Sequence, residues 1–168
     1  MQDSIDTKKK VAIQYLNNRE QLLKCTYLDM NLILENDEQV YIALFDMPQE
    51  SGIVGFQTQS LALVFGLNTH IYHGSGSSIV NLEENHSVMK AMQSVLISSH
   101  QALPAMQLVD DFEFYNSENV RVYLKTKKGV FFKELNENEN KIDQFLSALM
   151  NHVMSEISKT DESGWTVK

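Results

Sequence analysis

The chain has one cysteine and two prolines among its 168 residues. A single thiol, Cys25, excludes an internal disulfide. It follows Leu22, Leu23 and Lys24, the setting of a small buried apolar side chain. A catalytic thiol would need an activating partner, and none lies near it in sequence. Pro48 and Pro104 leave no proline-rich linker to divide the chain. Long apolar runs are missing too. The stretch from Val11 to Leu16 is far too short for a signal peptide or a membrane span. The expected setting is therefore the cytoplasm, with no membrane partner. Basic residues are scarce: 14 Lys and Arg stand against 22 Asp and Glu, a net charge of −8. Phosphate backbones and anionic lipid repel such a chain unless it carries a concentrated basic patch. Nucleic acid is therefore not an expected partner. The clusters Lys8 to Lys10, and Lys125, Lys127, Lys128 and Lys133, read as a solvated helix face and a hairpin tip.

What is present is a globular composition, 43% hydrophobic, enough for a sizeable core without metal or disulfide. The reading is a single α+β domain over residues 1–160 with a polar C-terminal tail at 161–168. Spacings of three and four among Val11, Ala12, Tyr15, Leu16, Arg19, Leu22 and Leu23 predict a helix from about Asp6 to Lys24, with Asp6 or Thr7 as cap. Leu28, Met30, Leu32 and Leu34 alternate with Tyr27, Asp29, Asn31 and Ile33, which predicts a half-buried strand. A polar turn follows at Glu35 to Glu38. Val40 to Phe45 is apolar on both parities and predicts a central strand covered on both faces. Asp46 to Gly52 reads as a loop, and Ile53 to Thr58 as a strand. Leu61 to Phe65 could be a strand or a helical turn. Thr69 to His73 reads as a strand, and Gly74 to Ser78 as a flexible loop.

A second helix is expected from about Glu83 to His100, with Asn81 and Glu84 as a capping box. Asp110 to Tyr115 is a short strand candidate. Val120, Val122 and Leu124, the turn at Lys128-Gly129, and Val130 to Leu135 form the clearest β-hairpin. A last helix runs from about Glu139 to Ser158 on Ile142, Phe145, Leu146, Leu149, Val153 and Ile157. There is no βαβ alternation, so the expected shape is a single antiparallel sheet with about three helices, in the order α-β(3-5)-α-β(2-3)-α.

The search for chemistry yields no catalytic set and no metal or cofactor site. His70 and His73, three apart on a strand, fall on opposite faces and cannot chelate one ion together. The glycine-serine loop lacks the Gly-Lys-Ser/Thr of a P-loop and the third glycine of a dinucleotide fingerprint. The acidic groups Asp110, Asp111 and Glu113, and Glu134, Glu137, Glu139 and Asp143, sit at predicted turns and a helix start, where the helix dipole accounts for them. Met89, Met92, Met106, Met150 and Met154 fill helical stripes, as core or as an adaptable binding face.

Two resemblances follow from element order. The order α-βββ-α-ββ-α, the size and the acidic balance resemble the class of type III secretion chaperones, over most of the chain. That resemblance implies homodimers that bind an extended segment of a partner. The segment Leu61 to His73 and the long second helix depart from it. Residues from about Ser60 to Ser158 resemble a roadblock or longin-type module, which implies scaffolding or small-GTPase regulation. Neither carries binding residues over to this chain.

The resulting expectation is a non-enzymatic protein-binding module of chaperone, adaptor or toxin-neutralising type. It would be a homodimer and would bind another protein through a sheet edge or helix face. An alternative is a small-ligand or sensory domain, its pocket between the sheet and the second helix, formed by Tyr72, His73, Ser75 and Ser77. A third is an enzyme using His70 or His73.

Overall fold

The apolar run after Gln39 sets the middle of the fold. The computed structural model describes residues 5–48, 58–66, 68–136 and 140–161. In chain order, strands β1 (Ile5–Asp6) and β2 (Val11–Ala12) precede helix α1 (Ile13–Lys24). Strands β3 (Ile42–Met47), β4 (Gln59–Val64), β5 (Asn68–His73) and β6 (Ser78–Ile79) follow. Helix α2 (His86–Ser98) then leads into a 3-10 segment, Ser99–Ala105. Strands β7 (Gln107–Val109), β8 (Arg121–Thr126) and β9 (Gly129–Glu134) and helix α3 (Lys141–Asp161) complete the order.

Seven strands form one antiparallel sheet in the order β6-β5-β4-β3-β8-β9-β7, and β1 and β2 form a separate pair. Every residue of β3 is buried, as expected for a strand covered on both faces. Ala43, Phe45 and Met47 face α2 and α3, in a core with Leu61, Leu63, Val95 and Val153. Leu44 faces the other way, packing with Ala62, Tyr123 and Leu23 of α1. The sheet is thus sandwiched between two helices and one.

Several sequence expectations need correction. The first helix starts at Ile13, not Asp6. Asp6 instead closes a turn, its Oδ1 accepting from the backbone N–H of Lys8 at 3.0 Å and Lys9 at 2.9 Å. Lys10 then takes a left-handed φ of 59°, which a helix cannot continue through. Lys8 to Lys10 lie in that turn rather than on a helix face.

The alternating segment Tyr27 to Leu34 is not a strand. Residues 27–31 make one helical turn closed at both ends, and 32–34 have no regular secondary structure. Thr26 Oγ1 accepts from Asp29 N–H at 3.0 Å, and Asp29 Oδ2 accepts from Thr26 N–H at 3.0 Å, a capping box. Asn31 is left-handed. The N–H of Leu32 bonds Tyr27 C=O and that of Asn31 bonds Leu28 C=O, a Schellman stop. Leu28 is 69% exposed and Ile33 95%. The local caps satisfy the backbone in place, so it needs no partner strand.

Asp46, read as the start of a loop, lies inside β3 and is fully buried. Of the run Leu61 to Phe65, Leu61 to Val64 resolve as a strand within β4, and Phe65 lies in the turn after it. The expected strand Ile53 to Thr58 lies outside the described residues except for Thr58. Asn81 is left-handed and makes no cap bond; Asn85 caps α2 through Ser87 N–H at 3.0 Å and Val88 N–H at 3.1 Å. No strand covers Asp110 to Tyr115, because the short edge strand ends at Val109. The hairpin forms as expected, but Thr126 pairs with Gly129, so its two turn residues are Lys127 and Lys128. The last helix begins two residues late, at Lys141, where Asn140 Oδ1 accepts from Ile142 N–H at 2.8 Å. Within the second basic cluster, Lys125 is buried and Lys133 pairs with Asp143 at 3.1 Å, so the four lysines form no common patch.

Candidate functional site

The glycine-serine segment is a tight hairpin turn rather than a flexible loop. His73 N–H bonds Ser77 C=O, Gly74 N–H bonds Thr58 C=O, and Gly74 C=O accepts from Ala12 N–H. Gly76, at φ +100°, has its Cβ position 3.3 Å from the Ala12 Cβ, so only glycine lets the turn dock on the start of α1. Ser75 and Ser77 hydroxyls meet at 3.2 Å. Tyr72 packs on the α1 side with Val11, Tyr15 and Phe114, and its ring stacks on His70 at 6.1 Å. His73, next along β5, alternates to the opposite face. The structure therefore brings Ser75 and Ser77 together but separates Tyr72 from His73 and turns Tyr72 away from α2. His70 and His73 lie on one strand three apart, on the same geometry that separates them. Burial lowers the pKa of both imidazoles.

A polar row crosses the α1 side of the sheet. Register places Tyr72 beside Ser60, Ser60 beside Asp46, Asp46 beside Arg121, and Arg121 beside Glu134. Helix α1 closes over it. Arg19 grips Asp46 with two bonds, Nε to Oδ1 at 3.1 Å and Nη2 to Oδ2 at 2.6 Å. Ser60 Oγ donates to Asp46 Oδ1 at 2.6 Å and sits 2.5 Å from the Tyr15 hydroxyl. Arg121 donates to the Asn119 carbonyl at 2.9 Å and lies over the Phe114 and Tyr115 rings. Glu134 accepts from Tyr115, Ser117 and Asn119. Those bonds outweigh burial and hold its carboxyl below the usual range.

Burial, then the Asp46 charge, pushes the Tyr123 hydroxyl up to about 12 and raises Tyr15 further. Burial alone would pull Arg19 down, yet the Asp46 carboxylate overrides it and keeps the guanidinium charged. Two cations face two anions, and each is held by bonds inside the protein. The row fastens α1 to the sheet. A signal for it existed in the sequence: an arginine inside an apolar helical stripe and an aspartate inside an apolar strand run both call for an opposite charge.

The open surface lies on the other side. A groove of about 850 Å³ runs between residues 35–39 and the C-terminal end of α2. Val40, Leu96, Phe65 and Ile97 line it together with Glu35, Asp37 and Glu38. Phe65 is 39% exposed and Ile97 71%. Glu38 and Lys128 are shared with a smaller cleft of about 180 Å³ lined by Leu103, Pro104 and Phe131. Phe131 pairs with Leu108 of edge strand β7, and Leu108 is 52% exposed. Exposed apolar side chains thus stand in two places, Phe65 and Ile97 at the groove and Leu108 at an open sheet edge, with the charged Glu38 and Lys128 common to both clefts. A further groove of about 480 Å³ lies between α1 and residues 110–114, with charges of both signs around it.

Among the described residues no group of His, Cys, Asp and Glu could hold a metal ion, and no helix is long and apolar enough to cross a membrane. Comparison with protein-family models, with curated proteins and with solved structures finds no match.

Proposed function

We propose that this chain is a protein-binding module of chaperone or adaptor type, without catalytic activity of its own. The observation that carries this reading is the exposed apolar side chains at two places, Ile97 and Phe65 at the groove and Leu108 on the β7 edge. Large apolar side chains left in water beside a groove and an unpaired strand are the usual substrate of protein association. Edge strand β7 has neighbours on one side only among the described residues. A second copy pairing there about a two-fold axis gives the homodimer.

The test uses the intact chain, immobilised, with extract of the native host. A partner retained in near-stoichiometric amount by the wild type and lost from the double variant Leu108→Lys, Ile97→Asp supports the reading. Both positions are exposed, so circular dichroism should show the fold intact. If the wild type retains nothing beyond what the variant retains, and light scattering shows only monomer, the proposal fails.

A further inference from the structure

We infer that the groove between residues 35–39 and the end of α2 takes an amphipathic, basic helix of a partner protein; the inference rests on the protein-binding reading above. Charge is the first argument. Three carboxylates, Glu35, Asp37 and Glu38, line the groove against one ammonium, Lys128. Among the described residues none of these carboxylates has a hydrogen-bond or ion-pair partner. Their backbone, in contrast, is pinned. Asn36 Oδ1 accepts from Glu38 N–H at 2.8 Å, and Gln39 Oε1 accepts from Glu35 N–H at 2.7 Å. The wall therefore presents unpaired negative charge on a pre-formed turn, which favours a cationic ligand.

The apolar lining is the second argument. Val40 and Leu96 are buried, while Ile97 and Phe65 stand partly in water and would be covered by an apolar occupant. His100 also lines the groove, its Nδ1 2.8 Å from the Ile97 carbonyl. Backbone pairing is the third. Beside the groove the strand ends are already bonded: Phe65 N–H to Tyr41 C=O and Tyr41 N–H to Lys125 C=O. The groove offers side chains rather than a free strand edge, so the occupant docks by inserting side chains, as a helix does. An apolar stripe with flanking Lys or Arg matches both the apolar and the acidic lining.

The probe is a fluorescein-labelled helical peptide of about 18 residues, Leu on one face and Lys on the other, long enough to form a helix. A matched peptide with Glu in place of Lys is the control. Fluorescence anisotropy with the full chain should show binding of the Leu/Lys peptide only. Ile97→Asp should weaken it about tenfold or more, the loss of one anchoring side chain. The triple variant Glu35→Lys, Asp37→Lys, Glu38→Lys should do the same. Glu84→Lys, Asp110→Lys, Glu118→Lys changes net charge equally but lies elsewhere, and should cost under about threefold. No binding, equal losses in both triple variants, or an indifferent Ile97→Asp would each overturn the inference. A host partner that is captured, is lost with Leu108→Lys alone and ignores Ile97→Asp would leave the protein-binding reading standing and remove this one.

Discussion

Replacing Asp46 by Ala should strip the buried Arg19 guanidinium of both its carboxylate bonds and Ser60 of its acceptor. Arg19 is 2% exposed and Asp46 0%, so water does not replace what is lost. Removing one partner of a buried ion pair leaves an uncompensated charge and costs about 3–5 kcal/mol. For a domain of this size that corresponds to a melting temperature lower by roughly 6–20 °C. Urea denaturation followed by circular dichroism reads the change as a lower midpoint at unchanged slope. The double variant Arg19→Met, Asp46→Leu leaves no orphan charge. It should lose less than the sum of the two single changes, with a coupling of about 2 kcal/mol or more. If Asp46→Ala costs under about 1 kcal/mol, or if the two changes add, the row does not fasten α1 as described.

Three further outcomes are expected. Lys125 Nζ donates to the carbonyls of Leu23 and Cys25 at 2.6 Å each, closing the end of α1; Lys125→Met should lower stability by about 1–3 kcal/mol in the same urea assay, as buried acceptors go unpaired. Thr26→Ala should cost about 1 kcal/mol through the lost cap, while Asn31→Gly stays within a few tenths and Asn31→Val costs about 1–2 kcal/mol at its left-handed φ. Burial lowers the folded pKa of His70 and His73 from 6.5, so the unfolded chain binds protons first as pH falls. Stability should therefore be flat above that value and decline below it, in a window separate from the more acidic one set by Glu134 and Asp29. Replacing both histidines by Asn should flatten the slope between pH 6.5 and the carboxylate range, and an unchanged slope would assign it to other groups.

Local pattern carried the parts of the fold whose neighbours are close in sequence. The β8–β9 hairpin forms because two apolar alternations flank a two-residue turn, Lys127-Lys128, followed by Gly129 at φ +127°. The central place of β3 follows from apolar residues on both parities, and the stripes of α2 and α3 from spacings of three and four. The α+β class rests on these features alone. Tyr27 to Leu34 shows the limit. Its alternation suits a strand, but Thr26, Asp29 and Asn31 supply caps that satisfy the backbone without one.

The sites were less legible, because each is assembled by register between strands distant in sequence. Ser60, Asp46, Arg121 and Glu134 share a row only because β4, β3, β8 and β9 pair as they do. Tyr72 and His73 are neighbours in the chain, yet the pleat sends them to opposite faces. The groove joins an acidic turn near residue 36 to the end of α2 sixty residues later. Composition and periodicity thus determined the central strand, the β8–β9 hairpin and the stripes of α2 and α3, since these depend on each segment's own pattern of apolar and polar side chains. Tertiary structure alone decided which charges meet and which apolar side chains stay in water, because strand order and register are set by packing across the whole chain.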